Sequence, residues 1–453
     1  MNPPVLIRFF VLAFALSGAA LPAHAQSAPA AAPLPAPDLS GEVDLPAALR
    51  YALGHNFSIL QARESIKQEE GVIVETMGAV LPNVTAASQY QDTSERLQVR
   101  FPGQPAEKTQ AWSITLEATQ ALFAGGKFNA AIHGAKALRQ AALYQMQSAI
   151  NDALLDVRTK FYAVLLNQEQ IKVQEENLGL LEQQARDAKA RYDAGSGSHY
   201  DLLSAQVALA NGQPPLIQAR NNYRIALEQL RQSLGLVSAE RPLQLAGTLG
   251  HPAEQFDLES ALSSARTNRP ELLRYAQLQT AQEQNVKVAR ADYWPSLNAF
   301  GGYRVMNNPL ASGLGTTQDG WLFGVQSNWA VFDGRATAGR VAQAKSQVEQ
   351  ARLTLLDEEL SVEVEVRQAY SSFEEASELV NATAKTVEQA EEALREARIR
   401  YTAGTIAQLD VLNAQVQLTT ARTNLVQADY NYEVAVAALR RAMGVADRFQ
   451  LRD

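Results

Sequence analysis

Two stretches of the chain, Gly126 to Asp193 and Gly334 to Thr402, carry apolar residues at helical spacing with no proline and almost no glycine. In the second, Val366, Phe373, Val380, Val387, Leu394 and Tyr401 fall seven residues apart. Val362, Ala369, Ala376, Thr383, Ala390 and Ala397 form a companion column with the same period. A large column beside a mostly small one predicts a coiled-coil seam in which backbones approach closely. In the first stretch Val157, Val164, Ile171, Leu178, Ala185 and Tyr192 repeat the large column, but Lys160, Asn167 and Gln174 stand in the companion column and predict a wetter seam. At 1.5 Å per residue each stretch is a rod of about 100 Å. The rods stop at Ala194-Gly195 and Ala403-Gly404, glycine being best suited to the left-handed turn that ends a helix. A second periodic segment then returns, so each unit predicts an antiparallel helical hairpin about as deep as the rod is long. Pro214-Pro215 removes two amide donors from the first return helix and predicts a kink or break there. The second return helix has Thr423-Asn424 instead and is expected to run straighter.

A different period governs four shorter segments. In Trp112-Ser113-Ile114-Thr115-Leu116-Glu117-Ala118 every second residue is apolar, and Trp321, Phe323, Val325 and Trp329 follow the same period. Alternation predicts strands at about 111–120 and 321–330, with partners at about 83–91 and 296–304 that each follow a proline. The loops around Phe101-Pro102-Gly103-Gln104-Pro105 and from Asn307 to Asp319 are rich in turn formers. Alternation is compatible with a soluble β-hairpin packed on the helices. It is also what a membrane barrel shows, with apolar residues on one face and aromatics at strand ends. Four strands cannot close a barrel, and open edges are not tolerated in hydrocarbon. Spanning strands would therefore require several chains to share one barrel.

The chain is internally duplicated. Arg191 to Gly235 aligns with Arg400 to Gly444 at a shift of 209 without a gap, with RYDAGSGSHYDLLSAQV over RYTAGTIAQLDVLNAQV. Leu122-Phe123-Ala124-Gly125 meets Val331-Phe332-Asp333-Gly334 at the same shift, whereas Leu81-Pro82 meets Trp294-Pro295 at 213. The organisation read from this is a first repeat at 44–240 with its helical hairpin at 126–235, and a second at 257–446 with its hairpin at 334–444. Each repeat opens with short helices; 241–256 connects the two and 447–453 forms a tail.

Composition narrows the partners. Of the 453 residues, 46% are hydrophobic but only 7% aromatic, so the apolar content is alanine, leucine and valine, which favours helix. The formal net charge of −8 and the pI of about 5.4 argue against nucleic acid as a partner. No cysteine is present, which excludes a disulfide framework, thiolate metal sites, a cysteine nucleophile and a lipid-modified amino-terminal cysteine. Arg8, the apolar run Phe9 to Ala20 and Ala23-His24-Ala25 have the three parts of a secretory signal at 1–25, and the run is short for a membrane anchor. Residues 26–43 are an Ala/Pro-rich linker.

The exported, duplicated strand-pair and hairpin unit, with RY-x-AG-(S/T) at both tips, resembles the TolC family of outer-membrane efflux proteins over the chain after about Asp44. The resemblance implies a mainly α fold with a small transmembrane β part. In it, a homotrimer shares a twelve-stranded outer-membrane β-barrel, set in outer-membrane lipid, above a periplasmic α-helical tunnel. It implies a passive exit duct for efflux or type I secretion, docked to a periplasmic adaptor and an inner-membrane transporter. The connector and the tail would form an equatorial region around the tunnel. At the second tip, Tyr401 and Asp410 match the family's entrance tyrosine and first entrance aspartate, while Ile406 stands at the arginine position and Asn413 at the second aspartate. Tyr401, Asp410 and Asn413 are thus the implied pore constriction, and a ring of Asp410 carboxylates would favour cations there. Asp410, like Asp201 in the first repeat, is equally readable as a residue that caps or orients the returning helix. Arg191, Tyr192, Ala194 and Gly195, with Arg400, Tyr401, Ala403, Gly404 and Thr405, are the implied adaptor-facing tips.

No catalytic, cofactor or metal constellation accompanies these features. His55, His133, His199 and His251 lack ligand spacing, and Ala121 replaces the first glycine of a phosphate loop ahead of Gly126-Lys127. Gly195-Ser196-Gly197-Ser198 lacks the spacing of a nucleophile elbow, and Asp357-Glu358-Glu359 and Glu374-Glu375 read as solvated helix faces. The chain reads as a non-enzyme. The rival to an exit duct is a soluble periplasmic coiled-coil scaffold.

Overall fold

The computed structural model describes residues 41–94, 110–236, 243–250, 252, 254–307 and 316–445. The leader, most of the linker, the loop around Phe101 to Pro105, His251 and the tail lie outside them, as do parts of the connector and of the 307–319 loop.

The elements in order are β1 (Glu42–Val43), α1 (Leu45–His55), α2 (Phe57–Gly78), β2 (Asn83–Asp92), β3 (Gln110–Ala124), α3 (Lys127–Asp193), α4 (His199–Leu234), β4 (Gln244–Leu245), α5 (Leu258–Asn268), α6 (Pro270–Ala291), β5 (Ser296–Asn307), β6 (Thr317–Asn328), α7 (Ala336–Thr402) and α8 (Gln408–Ala442). The rods α3 and α7 are 67 residues each, about 100 Å at helical rise. Much of their large columns is interior: Val157, Val164, Val366, Phe373, Val380 and Leu394 are buried, whereas Tyr192 at the first tip is exposed. The return helices are only 36 and 35 residues, about 54 Å, so the hairpins are half as deep as the rods are long. The proximal half of α3 is instead flanked by α2 and α6, and α7 is flanked by α6.

The break expected at Pro214-Pro215 does not occur, because α4 runs uninterrupted through both prolines. Packing holds the segment: Leu216 and Ala219 are buried, and Gly212 lies so close to α3 that a Cβ there would stand 2.7 Å from a Leu181 methyl. Buried side chains on one face outweigh two missing amide donors.

Where each return helix ends, both repeats build the same junction. Gly235 and Gly444 take positive φ of 76° and 68° against the backbone of His55 and of Asn268. Asn56 caps α2 through its Oδ1 and donates from Nδ2 to the Ser233 carbonyl at 2.7 Å. Its counterpart Arg269 donates to the carbonyls of Arg441 and Ala442, and pairs with Glu271 at 3.0 Å and Glu365 at 2.6 Å. Arg441 bonds Glu365 and reaches Asp152 of α3, so one charge network joins α3, α6, α7 and α8. Burial opposes ionisation of Glu365, but hydrogen bonds and charge from Arg269 and Arg441 hold its carboxyl below the ordinary range.

The strands form one antiparallel sheet in the order β2-β3-β5-β6. Both hairpins share a register, Tyr90 opposite Trp112 and Tyr303 opposite Trp321. β3 extends past the expected end at 120 to Ala124, through a bulge between Ala121 and Phe123 that keeps it paired with β5. β6 is displaced toward the loop, spanning Thr317–Asn328 in place of 321–330. One face of the sheet is apolar, carrying Ile114, Leu116, Tyr303, Trp321, Phe323 and Val325, all more than two-fifths exposed. The other carries Gln89, Thr115, Glu117, Arg304 and Gln326. Among the described residues no helix packs broadly across either face, in contrast to a soluble hairpin folded onto a helical core. Among the described residues no helix is long and apolar enough to cross a membrane.

Candidate functional site

The doubled tip motif is two copies of one helix-ending device. At the first tip the amides of Gly195 and Ser196 donate to the carbonyls of Tyr192 and Arg191; at the second, those of Gly404 and Thr405 donate to Tyr401 and Arg400. This is a Schellman arrangement, with glycine at the left-handed position, φ 72° and 75°. The Ser196 and Thr405 hydroxyls add a bond to the same arginine carbonyl, at 3.2 and 2.9 Å, which accounts for the Ser/Thr of the motif. The glycines are exposed, and a Cβ at either would meet nothing within 4 Å, so Gly195 and Gly404 serve the turn and not a close contact.

Both aspartates sit at the third position of the returning helices. Asp201 accepts from the Ser198 hydroxyl at 2.7 Å while its own amide donates back to that oxygen. Asp410 accepts from the Ala407 amide at 3.0 Å. A carboxylate there satisfies a free donor and complements the positive helix end. Asp410 and Asn413 are both exposed, one turn apart on α8. Ile406 is half-buried against the tip core of Ala390, Leu394, Val411, Ala414 and Leu418.

Tyr401 is engaged from the other hairpin. The Arg191 guanidinium lies over its ring, 4.7 Å from the centroid, and the tyrosine hydroxyl donates to Gln408 at 3.4 Å. Tyr192 instead lies against His199, with ring centroids 5.4 Å apart. Arg191, Tyr401 and Gln408, with Gln184, Asp187 and Arg398, line a cavity of about 230 Å³ between the two hairpins. Above it runs a polar seam absent from the sequence-based site. Gln415, 1% exposed, donates to the Asn177 side chain at 3.0 Å and accepts from Gln184, and the Thr419 hydroxyl donates to Asn177 at 3.1 Å. Its sequence signal is the seven-residue spacing of Asn177 and Gln184, in a column offset by three residues from that of Lys160, Asn167 and Gln174. Arg422 extends the link, bonding Glu176 across the hairpins and Glu391 within its own, each at 2.7 Å. Nearer the connector Tyr162 and Glu433 share a hydrogen bond; burial and Glu254 push the Glu433 carboxyl up, against that bond. Among the described residues no cluster of potential metal ligands occurs.

The tip geometry, the long rods and the two-faced sheet coincide with four similarities. The family model described as outer membrane efflux protein matches residues 48–236 and 261–445. The alkaline protease secretion protein AprF of Pseudomonas aeruginosa is 25% identical over 346 residues, covering 74% of this chain and 70% of that one. The cobalt-zinc-cadmium resistance protein CzcC of Cupriavidus metallidurans is 27% identical over 399 residues, covering 85% and 86%. The solved outer-membrane channel OprN superposes with a TM-score of 0.75 at 21% identity, covering 89% of this chain and 90% of that one.

Proposed function

Because the chain belongs to the outer membrane efflux protein family, and is thus an outer-membrane channel with a periplasmic tunnel, we propose that three copies close their sheets and rods into one conduit whose periplasmic mouth is shut at the hairpin tips. The observation that carries this reading is the sheet. Its two outer strands, β2 and β6, end on open edges, and its faces divide into one apolar and one polar. Open edges and an uncovered apolar face are compatible with hydrocarbon only if the edges pair with other copies. The polar face, with Glu117 and Arg304, then lines water.

Channels of this family work in tripartite efflux or secretion systems, which implies an adaptor and a transporter as partners. The exposed turns at Gly195 and Gly404 are the surfaces we assign to the adaptor, since both offer backbone and small side chains. Asp410 and Asn413 are assigned to the mouth, Tyr401 to the contact that holds it shut. Conduction is passive in this reading, and opening is work done by the partners on the tips. The relatives' names point to a secreted protease in one case and metal ions in the other. A wide conduit that recognises its adaptor more than its cargo is compatible with both.

Planar-bilayer recording of the purified chain, with native mass measurement of the same sample, tests the proposal. A three-chain particle giving discrete conductance steps is expected. Recovery of the chain wholly in the soluble periplasm, or a particle of another stoichiometry, would overturn it.

A further inference from the structure

We propose that the cavity between the hairpin tips binds a small organic anion, a carboxylate carried on a single ring, and that the bound anion ties one hairpin to the other; its effect on the mouth rests on the assignment of Tyr401 to the closing contact. One wall is a single face of α3, from Leu180 through Gln184 and Asp187 to Arg191. The opposite wall is the end of α7 and the start of α8, with Arg398, Tyr401, Gln408 and Val411. The volume of about 230 Å³ exceeds the roughly 150 Å³ of a cavity that accepts benzene, so one ring with a short polar arm fits.

The lining divides into an apolar floor and a charged opening, the division expected of a site for an amphipathic ligand. Ala188 and Val411 are buried and Leu180 is half-buried. Arg191, Arg398 and Asp187 are exposed and bring two positive charges against one negative, which leaves one positive charge over. Other charged side chains near the tips pair with one another: Glu182 with Arg186, Lys189 with Asp193, Glu392 with Arg395, and Glu396 with Arg400. Among the described residues Arg398 and Asp187 have no such ion pair, and Arg191 meets the Tyr401 ring instead of a carboxylate.

Comparison of the two tips shows that this surplus is not a by-product of the turn. At the shift of 209 the counterpart of Arg398 is Lys189, which pairs at 3.0 Å with Asp193 one turn on. The counterpart of Asp193 is Thr402, so Arg398 lacks the carboxylate that neutralises its equivalent, and both Arg398 and Thr402 line the cavity. Gln408, 5% exposed, accepts from the Tyr401 hydroxyl and keeps its Nε2 as a donor without a partner among the described residues. Stacking on Tyr401 occupies the face of the Arg191 guanidinium and leaves N–H groups in its plane for a carboxylate. A carboxylate head between Arg191 and Arg398 thus meets both hairpins, while its ring covers the apolar floor. Because the site is complete only while α3 faces the turn between α7 and α8, an occupant favours that arrangement by mass action.

The test titrates the purified chain in detergent with benzoate, with benzyl alcohol as the neutral body of similar size, and with benzylammonium as the opposite charge, reading heat. Benzoate should saturate and the other two should not. R398A, a change at an exposed position, should weaken benzoate about tenfold, and R398K should fall between. Q183W, which places a large ring on the exposed α3 side of the cavity, should abolish the heat; if it fails to fold, R398A still decides. Equal affinity for benzoate and benzyl alcohol, tighter binding of benzylammonium, or unchanged affinity in R398A overturns the site. In planar bilayers, benzoate at its dissociation constant should lower the ratio of open to closed time about twofold in the parent and have little effect in R398A. Saturable binding with an unchanged or raised ratio in the parent overturns the tie between hairpins. A preparation without conductance steps in the absence of benzoate counts against the channel reading instead, and the calorimetric result still decides the site.

Discussion

Arg191 of the first hairpin lies over the ring of Tyr401 in the second, 4.7 Å from guanidinium carbon to ring centroid, although 210 positions separate them in sequence. An exposed cation–π contact of this kind contributes about 0.5–1 kcal/mol. The turn itself offers Ile406, so the arginine that meets Tyr401 comes from the other hairpin.

If this contact favours the closed mouth, R191A should raise the frequency of open events in single-channel recordings by about two- to fivefold. R191K, which keeps the charge but not the planar stacking group, should fall between. Equal open probability in all three proteins would show the contact to be idle in gating.

Asp410 has two proposed duties and Asp201 one, which makes them separable. D410A and D201A should each lower stability by about 0.5–1 kcal/mol, read from thermal unfolding, through loss of the helix-start bond. Only D410A should also lower cation preference, read as a smaller reversal potential in a salt gradient. A D410A channel with unchanged selectivity would leave the aspartate as a cap alone.

The junction glycines Gly235 and Gly444 should prove less replaceable than the tip glycines. G404A forces a side chain into positive φ with open space around it, a cost of about 1 kcal/mol. G444A adds a Cβ 2.9 Å from the Asn268 carbonyl carbon, and should cost at least about twice as much because backbone must shift. Equal melting temperatures for the two variants would contradict the tight junction.

Two glutamates predict opposite pH behaviour. Burial raises the Glu433 carboxyl in the folded protein, so folding binds protons there and its contribution weakens as pH rises from the ordinary carboxylate value through the raised one. E433Q, which can keep the bond to Tyr162, should be at least as stable as the parent at pH 7 and lose that advantage in acid. Glu365 is depressed by Arg269 and Arg441, so its contribution is present above the ordinary carboxylate value and fades as pH falls through the lowered one. E365Q should therefore be less stable than the parent at pH 7, with a gap that narrows in acid. Unfolding curves at pH 7 and pH 3 check both signs.

Much of this architecture is written locally. The seven-residue columns ending at Tyr401 define the rods, and the shared Tyr-Trp pairing of the two hairpins follows from alternation and duplication. The Arg-Tyr-x-Ala-Gly motif encodes its own turn, because each of its carbonyls and amides bonds within six residues. What escaped depends on distant surfaces. The return helices are half as long as the rods because α2 and α6 take up the remaining length, and the junctions at Asn56 and Arg269 set where they meet. Pro214-Pro215 reads as a break until Gly212 and Leu216 are seen packed along α3. The partner of Tyr401 could not be read from the turn around Ile406, since it arrives from the other hairpin.

The unpaired margins of β2 and β6 bear on the life history of the molecule. A lone copy would expose two sticky borders and an oily surface to water, or unsatisfied amides to lipid, and neither can persist. In the assembly proposed above, biogenesis then has to join copies before, or while, they enter the bilayer, with the helical part available early as a local-contact nucleus. A subunit defective only along β6 would still be recruited through its rods and would spoil each ring it joined. Such an allele should be dominant in a cell that also makes the normal protein.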